Sequence, residues 1–274
     1  MRARFYFLLI CCLPWLTFAQ SKSLSATRTE EKIRIDGLNN ENSWQSANVA
    51  TGFLERNPRE GRPPQQRTEV RILFDDNAVY VLAYCYDSSP DSILTQLGER
   101  DDRLNADLFT VSFDTYNKML DAFRFSVSAS GVQSDSRISD PSFNAVWKSA
   151  VQIVEDGWIV EIEIPYYAIR FPKGQEQTWR VQFEREIRRS RQEVQWSLVP
   201  KNVETELNYW GILLGLNNIK DPLRLSLSPY VSAFAESQNQ QSAQGYGAGA
   251  DLKLGLNESF TLDMTLLPDF SQVR

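Results

Sequence analysis

Hydrophobic and polar positions alternate with a period of two along much of this chain, the pattern of strands with one buried face. Within 68–87, Val70, Ile72 and Phe74 alternate with Glu69, Arg71 and Leu73, and Asp75, Asp76 and Asn77 break the run. The arm after the break, 79–86, is rich in the aromatic and β-branched residues that suit a pleated surface. The stretch therefore predicts two strands joined by an acidic turn. Strands are predicted at 32–36, 69–74, 79–86, 108–114, 121–129, 148–155, 158–164, 179–188 and 193–198. Short helical turns are predicted at 41–47 and at 165–169, where Pro165 starts a turn. Short strands at this spacing, bounded by Gly, Pro, Asn and Asp, predict an all-β fold. The expected architecture is an antiparallel, jelly-roll-like β-sandwich over 25–217.

The pattern changes at Asp221-Pro222, and 221–274 reads as a second unit. In 223–235, Leu223, Leu225, Leu227, Val231, Ala233 and Ala235 share one face. After a Gln-rich polar loop over 236–245, Tyr246, Ala248, Ala250, Leu252, Leu254 and Leu256 do the same in 246–256. Phe260, Leu262, Met264 and Leu266 follow in 260–267. Long strands that are apolar on one side and small or polar on the other match an outer-membrane β-meander. A water-exposed sheet with one buried face gives the same alternation. Three strands do not close a barrel, which takes at least ~8. The expectation is the start of a barrel domain in a fragment of a longer protein.

Residues 1–19 read as an export signal. Arg2 and Arg4 precede the apolar run 5–18, and Thr17-Phe18-Ala19 fits a small-x-small cleavage site. Cleavage there removes Cys11 and Cys12 and leaves Cys85 as a lone, buried thiol with no internal disulfide. Loss of Arg2 and Arg4 takes the formal charge from −6 to −8. That balance argues against nucleic acid as a partner and suits neutral sugars or cations. The expected location is the cell envelope, with the C-terminal strands in the outer membrane.

The residues also carry a resemblance. Its pieces are Ile35-Asp36-Gly37 with Trp44, 66–71 (QRTEVR), Phe74-Asp75-Asp76 with Tyr80, and Tyr86-Asp87 followed by Pro90. Further on come Asp101-Asp102, 113–117 (FDTYN), Gly131-Val132-Gln133 with Asp135, Trp147, Gly157-Trp158, 161–165 (EIEIP) and Arg170-Phe171. In this order they resemble family 9 carbohydrate-binding modules over 32–216. They are most similar to the N-terminal module of uncharacterised outer-membrane barrel proteins of Gram-negative bacteria, whose first barrel strands 267–273 (LPDFSQV) also resemble. The resemblance implies an antiparallel sandwich that binds sugars, often beside polysaccharide hydrolases. It also implies paired tryptophans that can sandwich a sugar, and calcium that can be structural.

Sugar binding needs flat aromatic faces with amides and charged groups nearby for the hydroxyls. The candidates are Trp147, after the loop-like 141–144, with Asn144 and Arg124 as polar partners; Trp44 is a weaker one, since its turn reads equally as a plug. The alternative for Trp147 is a core cap. For a structural calcium ion the candidates are Asp101, Asp102, Asp107 and Asp114, with Glu99 and Asn105 beside them; a turn-forming solvated run reads the same way. No cofactor is required. With no histidine, Ser-His-Asp, Cys-His and His-ligated zinc chemistry are excluded. A glycoside hydrolase needs only two carboxylates, which Glu161 and Glu163 supply as a weak alternative, as do Glu184 and Glu186. Pairing with the nearby arginines Arg180, Arg185, Arg188, Arg189 and Arg191 explains them without chemistry. The expected activity is carbohydrate recognition without turnover. The other reading is a plug or docking domain for a barrel that transports or assembles something.

Overall fold

The computed structural model describes residues 21–220, 225–238, 241–255 and 261–266. The segment 1–19 expected to direct export, the run 267–273, and Leu223, Leu256 and Phe260 lie outside them. Two sheets pack face to face. The larger has eight strands. It is built from β1 (Ser23–Ser25), β4 (Leu54–Asn57), β7 (Leu108–Asp114), β8 (Phe123–Ser128), β9 (Gln133–Arg137), β12 (Glu176–Ile187), β13 (Gln192–Gln195) and β14 (Gly211–Asn217). Its order is β1-β14-β12-β7-β8-β9, with β13 also on β12 and β4 on β13. The six-stranded sheet runs β10 (Lys148–Val154), β11 (Gly157–Pro165), β6 (Ala78–Tyr86), β5 (Thr68–Phe74) and β2 (Thr27–Arg28), with β3 (Val49–Ala50) also on β5. A five-residue helix, α1 (Asn42–Ser46), lies where a helical turn is predicted.

Pairing is antiparallel except where the N-terminal segment joins. There β1 runs parallel to β14 and β2 parallel to β5. The segment changes sheet at Ala26, whose N–H donates to the Leu214 carbonyl at 2.8 Å. These edge strands are too short to announce themselves by alternation. The predicted strand at 32–36 is irregular backbone, because the Asp36 and Gly37 amides donate to a side chain and not to a neighbouring strand.

Alternation builds the core. Val70, Ile72 and Phe74, with Val79, Val81, Ala83 and Cys85, and Trp158, Val160, Ile162 and Ile164 point inward from the smaller sheet. Phe109, Val111, Phe113, Phe125, Trp179, Val181 and Phe183 meet them from the larger. Each large apolar side chain removed from water in this way stabilises the fold by roughly 1.5–3 kcal/mol. Cys85 is wholly buried, and burial pushes its thiol up to about 12, so it acts as a small core residue.

Arg185 is the polar exception. It points inward with Val181 and Phe183, and its guanidinium donates to the carbonyls of Arg67 (3.1 Å) and Tyr86 (2.9 Å) in the opposite sheet. Asp87 lies 3.6 Å from it and accepts a two-pronged pair of bonds from Arg189, at 2.7 and 2.8 Å. A buried guanidinium is tolerated only with such partners. Here they tie one end of the sandwich across both layers.

The C-terminal unit is a meander of β15 (Leu225–Gln238), β16 (Gln241–Gly255) and β17 (Thr261–Leu266). Its register puts Leu227 opposite Leu252 opposite Met264, and Leu225 opposite Leu254 opposite Leu262. Asp251 and Thr265 pair on the other face, joined by a 2.7 Å hydrogen bond. The loop predicted over 236–245 is shorter than expected, since pairing continues to Gln238 opposite Gln241. Backbone pairing between adjoining antiparallel strands does not need apolar side chains, so the glutamines extend the ladder.

Candidate functional site

The two outer faces of the sandwich differ. On the smaller sheet Leu73, Ala78, Tyr80, Leu82 and Ile159 are buried beneath Ile33, Trp44 and Ala47. Glu161 anchors this cover. It has no exposure and takes no ion pair with an arginine. One carboxylate oxygen accepts from Trp44 Nε1 at 3.0 Å. The other accepts from the amides of Asp36 (2.9 Å) and Gly37 (2.8 Å). Burial raises its carboxyl to about 7, against the lowering effect of these neutral donors. Gly37 sits at φ +81°, and a Cβ there would come within 2.8 Å of the Val151 backbone, so only glycine lets the segment lie this close.

The outward positions of the larger sheet are polar, and residues 197–210 cover part of them, with Gln182 bonded to Ser197, Arg180 to the Trp210 carbonyl and Arg124 to Glu206. Cross-strand pairing sets them in rows: Ser134, Ser126, Thr110, Glu184 and Gln195 in one, Ser136, Arg124, Ser112 and Gln182 in the next. A third row runs Ser128, Leu108, Glu186 and Glu193. Over these rows lies a cavity of about 330 Å³ that Arg56, Thr110, Arg124, Ser126, Glu184 and Gln195 help to line. It adjoins a second of about 210 Å³, since Leu108, Ser126 and Glu186 line both. Gln195 Nε2 donates to Glu184 at 2.6 Å, Thr110 and Ser126 share a hydroxyl bond of 2.8 Å, and Arg124 pairs with Glu206. Burial raises the carboxyls of Glu184 and Glu186 above their usual range.

This groove brings together few of the residues expected from sequence. Arg124 lies in it. Asn144 is exposed on the loop before Trp147. Trp147 is core: 5% exposed, with its ring edge-on to Phe125 at 5.3 Å and its Nε1 donating to Asp135 at 3.2 Å. Trp44, 1% exposed, is the plug under the cover. Neither indole offers the free face that stacking needs. In each case a carboxylate draws the indole N–H inward, 117 residues away for Trp44 and 12 for Trp147.

The four carboxylates considered for calcium do not converge. Asp101 accepts from the Asp135 amide, Asp102 from that of Glu99, Asp107 from that of Arg188, and Asp114 from those of Tyr116 and Met119. Asp102 and Asp114 thus shape local turns, while Asp101 and Asp107 tie segments distant in the chain. Among the described residues no three acidic, Cys or His side chains form a metal-sized group. Glu161 and Glu163 share a strand face, but Glu161 is under the cover and Glu163 is held by Lys148 at 3.0 Å. Among the described residues Glu184 and Glu186 form no close ion pair with an arginine, though Arg124 and Arg56 attract the first and Arg188 and Arg103 the second at longer range. Arg180 donates to the Trp210 carbonyl, Arg188 to Asn105 and Arg189 to Asp87.

The sequence family described as "Carbohydrate family 9 binding domain-like" matches residues 35–211. The chain belongs to that family. A second match, to a domain of unknown function (DUF5916), covers 221–274. No curated protein matches the chain. Among solved structures it is similar to a family 9 carbohydrate-binding module from Caldicellulosiruptor kristjanssonii in complex with cellotriose. The identity is 14%, 72% of this chain and 96% of that one are covered, and the TM-score is 0.53. The module from the same organism in complex with glucose gives 14%, 73% and 100%, and 0.54. A putative carbohydrate-binding protein from Bacteroides uniformis gives 11%, 71% and 99%, and 0.56. These likenesses establish the sandwich.

Proposed function

We propose that this chain binds carbohydrate without turning it over, in the groove on the outward face of the eight-stranded sheet. The observation that carries the reading is the contrast between the two faces. One is buried under residues 33–47; the other sets Thr110, Ser126, Arg124, Glu184 and Gln195 around a cavity of about 330 Å³. Hydroxyl, amide, guanidinium and carboxylate groups supply both donors and acceptors, which a polyol requires. Recognition here rests on hydrogen bonds and not on tryptophan stacking. Family membership supports the ligand class.

We place the protein at the cell envelope, anchored in the outer membrane by the meander of β15 to β17. Leu225, Leu227, Val231, Tyr246, Leu262 and Met264 lie on its apolar face and are exposed. The strand length and the polar opposite face support this reading.

The test is calorimetric titration of the full chain in detergent with a panel of oligosaccharides. Micromolar to millimolar binding that weakens in Arg124→Ala and Gln195→Ala supports the groove. Binding abolished by Trp147→Phe but untouched by both groove changes would move the site elsewhere.

A further inference from the structure

Every second residue from Ser134 onward meets a different cavity. Ser134 lines the one of about 210 Å³ and Ser136 the one of about 330 Å³. Ile138, just past the end of β9, lines a third of about 470 Å³. The ladder continues that far, since the Ile138 N–H donates to the Ala122 carbonyl at 3.1 Å. The neighbouring chain keeps the same order: Ser126 lines the first two cavities, Arg124 the second and Leu120 the third. Arg56 lines both the second and the third, so these adjoin. The three cavities therefore follow one another along the strands. On β7 the stretch from Leu108 to Asp114 rises roughly 20 Å at the usual strand spacing.

The chemistry changes along this line. The second cavity is walled by hydroxyl, amide and charged groups. The third has an aliphatic wall of Met119, Leu120, Ile138 and Val203 and a polar rim that includes Lys201 and Thr205. Leu120 is 78% exposed and Ile138 41%, and neither joins the nearby buried cluster of Ala122, Val199, Leu207 and Trp210. A sugar ring has C–H faces and hydroxyl edges, so an aliphatic wall with a polar rim suits one. A wholly apolar occupant would answer the wall and not the rim.

Resting on the groove as the sugar site, we infer that its ligand is a linear oligosaccharide longer than a disaccharide, laid along β8 and β9, with a far subsite against Leu120 and Ile138. Arg56 stands where the polar and aliphatic stretches meet. Its closest carboxylate among the described residues, that of Glu193, is 4.0 Å away, and its guanidinium supplies donors for hydroxyls at the junction.

The experiment titrates the full chain, in phosphatidylcholine nanodiscs, with the disaccharide, tetrasaccharide and hexasaccharide of a β-1,4-glucan and of an α-1,4-glucan. The expected result is at least about tenfold tighter binding of the hexasaccharide than of the disaccharide in one series, from the added apolar contact. Leu120→Ser should remove most of that gain while disaccharide binding stays within about twofold, because an exposed side chain is changed without opening the core. Ile138→Ser serves as the second variant. A longer chain also offers more registers, but that advantage would survive in both variants. A gain that persists undiminished in both therefore overturns the far subsite. Equal binding of all lengths, weakened by Arg124→Ala, overturns the inference and leaves the groove reading standing. Binding of no member of either series overturns both.

Discussion

Trp44 Nε1 donates to a carboxylate oxygen of Glu161 at 3.0 Å, across 117 residues of sequence. That bond closes the outer face of the smaller sheet. It also occupies an acid that sequence alone offers as a catalytic candidate.

Glu161 makes stability depend on pH. Burial pushes its carboxyl up to about 7 in the folded chain, above the ordinary 4.5, so between those values the folded chain holds a proton that the unfolded chain has released. Stability contributed by this group is present in full below about 4.5 and is lost as pH rises through about 7, a loss on the order of 3 kcal/mol. Denaturant unfolding at pH 5 and pH 8 should show this decline, and Glu161→Gln should flatten it. An unchanged slope in the variant would refute the assignment.

Asp87 should be the costlier half of its pair with Arg189. Asp87→Asn leaves Arg185 buried and uncompensated and should destabilise by about 3–5 kcal/mol. Arg189→Ala leaves Asp87 its second arginine, and Arg189 is itself a quarter exposed, so the expected loss is about 1–2 kcal/mol. Equal losses would mean that Arg185 does not depend on Asp87.

Trp147→Ala should lower stability by about 3–5 kcal/mol as a cavity in the core. Glycan affinity of the remaining folded protein should stay within about twofold. Glu184→Gln should do the opposite, costing about tenfold or more in affinity with little change in melting temperature. Paired melting and calorimetry on each variant separate the two roles.

A charge on the apolar face of the meander should block membrane assembly. Leu252→Arg, in the central strand β16, should cost about 2–4 kcal/mol near mid-bilayer and reduce recovery in the outer-membrane fraction. Asp251→Asn, on the other face, should leave that fraction unchanged. If both variants fractionate alike, the meander does not face lipid.

The groove was only partly legible. Alternation places Thr110, Ser126, Glu184 and Glu186 outward, and Arg124 enters only as a polar partner of Trp147. It does not tell which polar residues of different strands become neighbours. Thr110 beside Glu184, and Glu186 beside Glu193, follow from register, which is set by pairing between segments far apart in the chain. The signal that sequence reading passed over was the recurrence of Ser, Thr, Gln and Glu at every second position of strands whose other face is apolar.

From the sequence by itself came the all-β class, the inward set from Val70 to Phe183, the burial of Cys85 and the two-faced meander. All of these rest on a period of two, which is local. Only the tertiary structure decided where Trp44 and Trp147 turn, that Glu161 latches Asp36, Gly37 and Trp44 onto the smaller sheet, and which outward polar residues of the larger sheet line one groove. Those outcomes depend on which carboxylate meets which indole or amide, and such meetings are set by the packing of segments against one another and not by a local period.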